Sequence, residues 1–104
     1  MKVQEPEAGG ICESLAGRDK GRLYLIAGIE GDVLLLCDGK YRLLKDPKRK
    51  NRKHVRLLPA FRKDIAERIA QGKDENSQIR AALAALEKGR REGAGRLKAR
   101  RGRA

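Results

Sequence analysis

Residues 17 to 22 read GRDKGR, which places Arg18, Lys20 and Arg22 in six positions with two glycines and one acid. Backbone amides beside glycines approach a phosphate closely, and flanking Lys and Arg side chains supply charge and bidentate geometry. The same glycines serve a tight loop between strands that touches nothing. Spacing alone leaves both readings open, and Gly21 is structural in either. A second stretch is denser. Lys45, Lys48, Arg49, Lys50, Arg52, Lys53 and Arg56 face Asp46 alone within twelve residues. Like charge at that density is costly to hold together unless counterions or phosphates neutralise it, so the stretch reads as an arm contacting a polyanion.

Catalytic chemistry finds no such footing. His54 is the sole histidine, and no serine or cysteine is placed beside a base and a supporting acid. It reads as a strand residue, or as one that stacks on a base. Cys12 and Cys37 each stand alone, without the spacing of a zinc site or a disulfide framework. They read as two buried thiols in a reducing compartment. The expectation is a protein that is not an enzyme and takes no metal, cofactor or small-molecule substrate.

The whole composition agrees with a polyanionic partner. The chain has 104 residues, enough for one small domain, and its 26 Lys and Arg against 14 Asp and Glu give a formal charge of +12. Such a field repels itself in a compact state. Only 3% of residues are aromatic and none is Trp, which argues against a row of stacked bases as the main source of affinity. Tyr24 and Tyr41 could stack on bases, but two residues are better explained by packing. No window approaches the roughly 20 apolar residues of a membrane span, and residues 1 to 10 lack an apolar signal region. A soluble cytoplasmic protein with no membrane partner is expected.

The elements that would position these groups follow from the pattern. Residues 1 to 8 form a lead-in expected to be disordered. Residues 9 to 59 hold five short strands: Ile11 to Leu15; 22 to 29; Val33 to Cys37; Tyr41 to Leu44; and His54 to Leu58, ended by Pro59. In the second, Leu23, Leu25, Ala27 and Ile29 share one face, and Arg22, Tyr24 and Ile26 the other. Asp38-Gly39 predicts a type I′ hairpin between the third and fourth strands. Five strands in about fifty residues predict a small, strongly bent barrel or sandwich. Residues 60 to 92 turn helical. Phe61, Ile65 and Ile69 fall at four-residue spacing between Pro59 and Gly72, and Ile79, Leu83 and Leu86 share a face of a second helix that Asp74, Asn76 or Ser77 could cap. Docking both stripes on the strands is their expected use. Residues 93 to 104 form a basic tail expected to be disordered when free, with Arg96, Lys98, Arg100, Arg101 and Arg103 and no acid among residues 96 to 103.

The segment GGICESLAGRDKGRLYLIAGI, residues 9 to 29, resembles the KOW motif: a strand, a short basic loop with a glycine, here Gly21, and a second strand. The Asp-Gly turn, the basic run KDPKRKNRKHVRLLP (residues 45 to 59) and the DENSQIRAAL helix extend the likeness over roughly residues 9 to 86. In that order they resemble the large-subunit ribosomal protein fourteen-e family of archaea and eukaryotes and its short bacterial KOW-domain relatives. The resemblance implies a mainly β fold, a small SH3-like barrel followed by two short helices, and binding to structured RNA in a ribosomal context, with ribosomal RNA or the large subunit as partner. The expected RNA-binding residues are Arg18, Lys20, Arg22, Lys40, Arg42, Lys45, Lys48, Arg49, Lys50, Arg52, Lys53, His54 and Arg56, acting mainly through phosphates. Two rival classes remain. One is a protein-interaction KOW module that works on the ribosome or RNA polymerase, using the Ile79, Leu83, Leu86 stripe. The other is a basic protein that compacts DNA.

Overall fold

The computed structural model describes the backbone of residues 5–103 and the side chains of residues 5–90. Five strands form one antiparallel sheet: β1 (Gly10–Ser14), β2 (Leu23–Glu30), β3 (Val33–Cys37), β4 (Lys48–Asn51) and β5 (Val55–Phe61), in spatial order β4-β3-β2-β1-β5. Helices α1 (Lys63–Ala70) and α2 (Asn76–Arg103) follow. The sheet is not closed, and β4 and β5 are its two edges.

Alternation along β2 sets up two buried layers. Leu23 and Leu25 join Ile11 and Cys37 beneath Ile65 of α1 and Ile79, Ala82 and Leu83 of α2. This is the docking that the two helical stripes predict, except at Phe61, which is exposed at the end of β5. Tyr24 and Ile26 point the other way, into a cluster with Cys12, Leu34, Leu36 and Val55. That second cluster contains strand residues only, yet Cys12, Ile26, Leu34 and Leu36 are fully buried. Among the described residues no helix covers this cluster, and the β1–β2 loop reaches it through the Asp19 bond to the Tyr24 hydroxyl. A register shift between Ile26 and Gly28 in β2 adds local twist. Half-buried Ala27 still packs against the cluster of Leu23 and Leu25, and the predicted face breaks down at Ile29, which is exposed.

The predicted fourth strand, Tyr41 to Leu44, is absent, and so is the hairpin it would make. Asp38 is the reason. Its Oδ1 accepts hydrogen bonds from the backbone N–H groups of Lys40, Tyr41 and Arg42 at 2.8–2.9 Å, which takes those donors out of any ladder. Gly39, at φ +78°, packs against the first turn of α2; a Cβ there would overlap the Asn76 carbonyl oxygen and lie 3.0 Å from the Arg80 nitrogen. Asn76 Oδ1 also accepts from the Leu44 N–H at 3.0 Å. The segment is thus a loop pinned to a helix.

The strand that pairs with β3 comes instead from the basic run, with Leu36 opposite Lys48 and Leu34 opposite Lys50. His54 ends a 3₁₀ turn (Arg52–His54) and does not begin a strand. β5 passes through Pro59 to Phe61, which an edge strand permits because the missing N–H faces no partner. Phe61 therefore lies on the sheet, half-exposed, and α1 begins only at Lys63. Before α2, Asp74 Oδ1 accepts from the Asn76 N–H at 3.1 Å. α2 continues to Arg103 and so takes in residues 93–103 of the expected disordered tail. Ala, Leu, Lys and Arg in that stretch are good helix formers, and its glycines are poor ones. The first four residues of the predicted lead-in lie outside the described residues.

Candidate nucleic-acid interface

The loop between β1 and β2 is built around Asp19, a buried carboxylate that is 6% exposed. Its Oδ1 accepts from the Ser14 hydroxyl at 2.8 Å and from Lys50 Nζ at 2.9 Å. Its Oδ2 accepts from the Tyr24 hydroxyl at 2.8 Å and pairs with Lys48 Nζ at 2.8 Å. Burial alone would push the Asp19 carboxyl up, but these four donors outweigh it and hold the group far below the usual carboxylate range. Tyr24 is shifted in the opposite direction, upward, by burial and then by its bond to Asp19. Gly21 turns the loop into β2 with φ +92°, a conformation that favours glycine, and its N–H donates to the Ser14 carbonyl at 2.8 Å. Gly21 therefore sits at the turn from the loop into β2.

The basic run differs from its sequence reading in one important respect. Five of its seven cations are paired, with acids from distant parts of the chain. Lys48 and Lys50 project from one face of β4 to Asp19, while Arg49, between them, reaches Glu30 at 2.6 Å. Arg52 lies 3.2 Å from Glu5, and Arg56 lies 2.5 Å from Glu13, which Arg90 also reaches at 3.1 Å. Asp46 is therefore not the only acid available to this run, and Lys48, Arg49, Lys50, Arg52 and Arg56 are partly compensated, Lys48 and Lys50 sharing Asp19 and Arg56 sharing Glu13 with Arg90. Lys45, Lys53 and His54 are exposed and form no ion pair among the described residues.

The unpaired charge gathers elsewhere. Arg18, Lys20, Arg22, Lys40 and Arg42 are all exposed, and none forms an ion pair among the described residues. Arg18, Arg22 and Arg42 line a depression of about 270 Å³ together with Lys48 and Tyr41, with the buried Asp19 and Tyr24 beneath. Tyr41 is 66% exposed, contrary to the packing role expected of it; only Tyr24 is a core residue. Arg22 Cζ lies 5.3 Å and Lys40 Nζ 5.0 Å from the centre of the Tyr41 ring, both within cation–π range. Arg80 of α2 lies alongside and donates from Nη1 to the Gly39 carbonyl at 2.7 Å. The arrangement can hold an anion and offer an aromatic face next to it. One local signal pointed to it: Lys40-Tyr41-Arg42 sets an aromatic between two cations directly after a turn.

Another depression, of about 410 Å³, lies over β5 and is lined by apolar residues with Glu5 and Glu7. It contains no cation among its lining residues, and its acids would repel a polyanion. Among the described residues, no three His, Cys, Asp or Glu side chains come together as a metal site would require, and no helix is long and apolar enough to cross a membrane. No protein-family model matches the chain, and no curated protein matches it.

Proposed function

We propose that this is a KOW-type RNA-binding protein with a small SH3-like barrel, which holds structured RNA of the ribosome through its phosphates. The observation that carries the reading is the segregation of its cations. The pairs around Asp19, Glu30 and Glu13 are used within the fold, while Arg18, Lys20, Arg22, Lys40 and Arg42 stand unpaired on two adjoining loops. Five exposed cations gathered without an internal partner make a surface that suits an anion, which supports this reading. The KOW-like run of residues 9 to 29 and the order of the elements after it point to RNA among polyanions. Cytoplasmic location and a non-enzymatic role belong to the same proposal.

The expected binding set is accordingly narrower than the sequence suggested. Arg18, Lys20, Arg22, Lys40 and Arg42 make the principal phosphate contacts, with Lys45, Lys53 and His54 as outlying ones. Lys48, Arg49, Lys50, Arg52 and Arg56 act first on the fold. For the rival reading as a protein-interaction module, the Ile79, Leu83, Leu86 stripe is not a free surface, because Ile79 and Leu83 are buried in the core and Leu86 packs against it.

Sedimentation with ribosomes tests the proposal. The full chain should co-migrate with the large subunit, ribonuclease should release it, and Arg18→Gln with Arg42→Gln should weaken the association at least tenfold. Co-migration that survives ribonuclease and is unmoved by the double variant would refute it. Equal affinity for duplex DNA and structured RNA at matched salt would favour the DNA-compacting alternative.

A further inference from the structure

We infer that the Tyr41 ring is a stacking platform for one unpaired nucleobase, so that the RNA site contains a bulged or looped-out nucleotide beside the phosphates held by Arg18, Arg22 and Arg42. The inference rests on the RNA-binding reading above and names the feature of RNA that the site selects.

Three observations converge on it. First, Tyr41 is the most exposed of the large apolar and aromatic side chains among the described residues, at 66%, and it borders the depression that the three arginines line. A ring that contributes to neither core cluster has no packing role to explain its position. Second, its backbone is held in place. Asp38 Oδ1 binds the N–H groups on both sides of the Tyr41 N–H as well as that N–H itself, and Gly39 is clamped to α2 by the Arg80 guanidinium. A platform fixed before binding loses little conformational freedom when a base arrives. Third, the groups now occupying the ring are displaceable. An exposed cation–π contact is worth about two- to fivefold in an equilibrium. Stacking a base on an aromatic side chain is worth about five- to 150-fold. A base therefore displaces the Lys40 ammonium from the ring, and the ammonium moves to a neighbouring phosphate where its charge is better used.

Continuous duplex RNA cannot use this platform, because its bases are stacked on one another and its deep major groove excludes side chains. An extruded base can reach the ring while its flanking phosphates meet the arginines. Arg22 serves both, since it lies over the ring and lines the depression.

The test uses the full chain and three RNA hairpins of equal length and charge: one continuous, one with a single bulged 2-aminopurine, and one with an abasic residue at the bulge. The protein should bind the 2-aminopurine hairpin at least fivefold more tightly than the other two and quench its fluorescence. Tyr41→Ala should remove both the preference and the quenching, whereas Tyr41→Phe should retain them. The dependence of affinity on salt should be the same for Tyr41→Ala and the parent, since no phosphate contact is lost. Equal binding of all three hairpins with normal salt dependence would overturn the stacking role while leaving phosphate binding in place. Preference for both bulged hairpins, abasic included, would also overturn it, because a flexible backbone would then be what is selected. Failure to bind any hairpin would overturn the RNA-binding reading, and this inference with it.

Discussion

Lys50 Nζ lies 2.9 Å from Asp19 Oδ1 and so ties β4 to the β1–β2 loop across 31 positions of chain. Lys48, Ser14 and Tyr24 complete the coordination of the same carboxylate. The acid inside the KOW-like loop is therefore an anchor for the basic run, and the two stretches that look like separate anion-binding segments are one electrostatic unit.

Asp19→Asn should destabilise the fold by about 3 kcal/mol at neutral pH, because it leaves two partly buried ammonium groups without their counter-charge. Urea unfolding measures it. Lys50→Met should cost less, since Lys48 keeps the carboxylate paired. The Asp19 carboxyl lies below its unfolded value of 3.8, so the folded state binds fewer protons there than the unfolded state. Its contribution is fully present above about pH 4 and is lost as pH falls toward the folded value. The parent should thus lose its stability advantage over Asp19→Asn on acidification. Glu13, also lowered by its Arg56 and Arg90 bonds against the opposing effect of burial, acts in the same direction in both proteins and cancels from that difference.

Two glycines with positive φ should respond differently to alanine. At Gly21, φ is +92° and a Cβ would meet nothing within 4 Å, so Gly21→Ala carries backbone strain alone, about 1–2 kcal/mol. At Gly39 the same strain is joined by overlap with the Asn76 carbonyl oxygen, and the α2 N-terminus must shift. Gly39→Ala should cost about 3 kcal/mol or more. Thermal melts compare the two, and amide exchange should show faster opening near Asn76 only in the second.

Affinity for structured RNA should fall steeply with salt. If Arg18, Lys20, Arg22, Lys40 and Arg42 each engage one phosphate, a slope near −0.7 per contact gives a loss of about a hundredfold between 50 and 200 mM. Fluorescence anisotropy at four salt concentrations yields the slope. Arg18→Gln or Arg42→Gln should reduce its magnitude by nearly one contact. Arg49→Gln, which removes an exposed pair with Glu30, should leave it nearly unchanged.

Cys12 and Cys37 are both fully buried, and burial pushes each thiol up to about 12. At pH 8 neither should react with a thiol reagent such as a disulfide dye on the folded chain, and both should react quickly in denaturant. A fast native-state reaction of either would contradict the packing around β1 and β3.

Much of the fold was legible locally. The period-2 pattern of Leu23, Tyr24, Leu25 and Ile26 and the stripe of Ile79 and Leu83 record the faces these residues bury, since burial depends on side-chain type and the geometry of one element. The basic loop, its glycine and the small, mainly β architecture with two helices were readable in the same way. The strand partner of β3 was not. Asp38-Gly39 and the apolar Leu43-Leu44 look like half of a hairpin, but the outcome turned on a carboxylate capping its own loop and on a helix 37 positions beyond Gly39 arriving against it. Phe61 was misplaced for a similar reason: its spacing to Ile65 is helical, but β1 claimed it for the sheet.

The candidate site divides along the same line. The amount of positive charge and its two concentrations are properties of the chain alone, because each residue carries its charge wherever it lies. Which cations are available to a partner is a matter of distance in space. Asp19, Glu30, Glu5 and Glu13 reach the basic run only once the sheet has formed, and Coulomb attraction depends on distance in space and takes no account of sequence separation. Folding therefore moved the open charge from Lys45–Arg56 toward Arg18–Arg22 and Lys40–Arg42, and brought Tyr41 out of the core and into their midst.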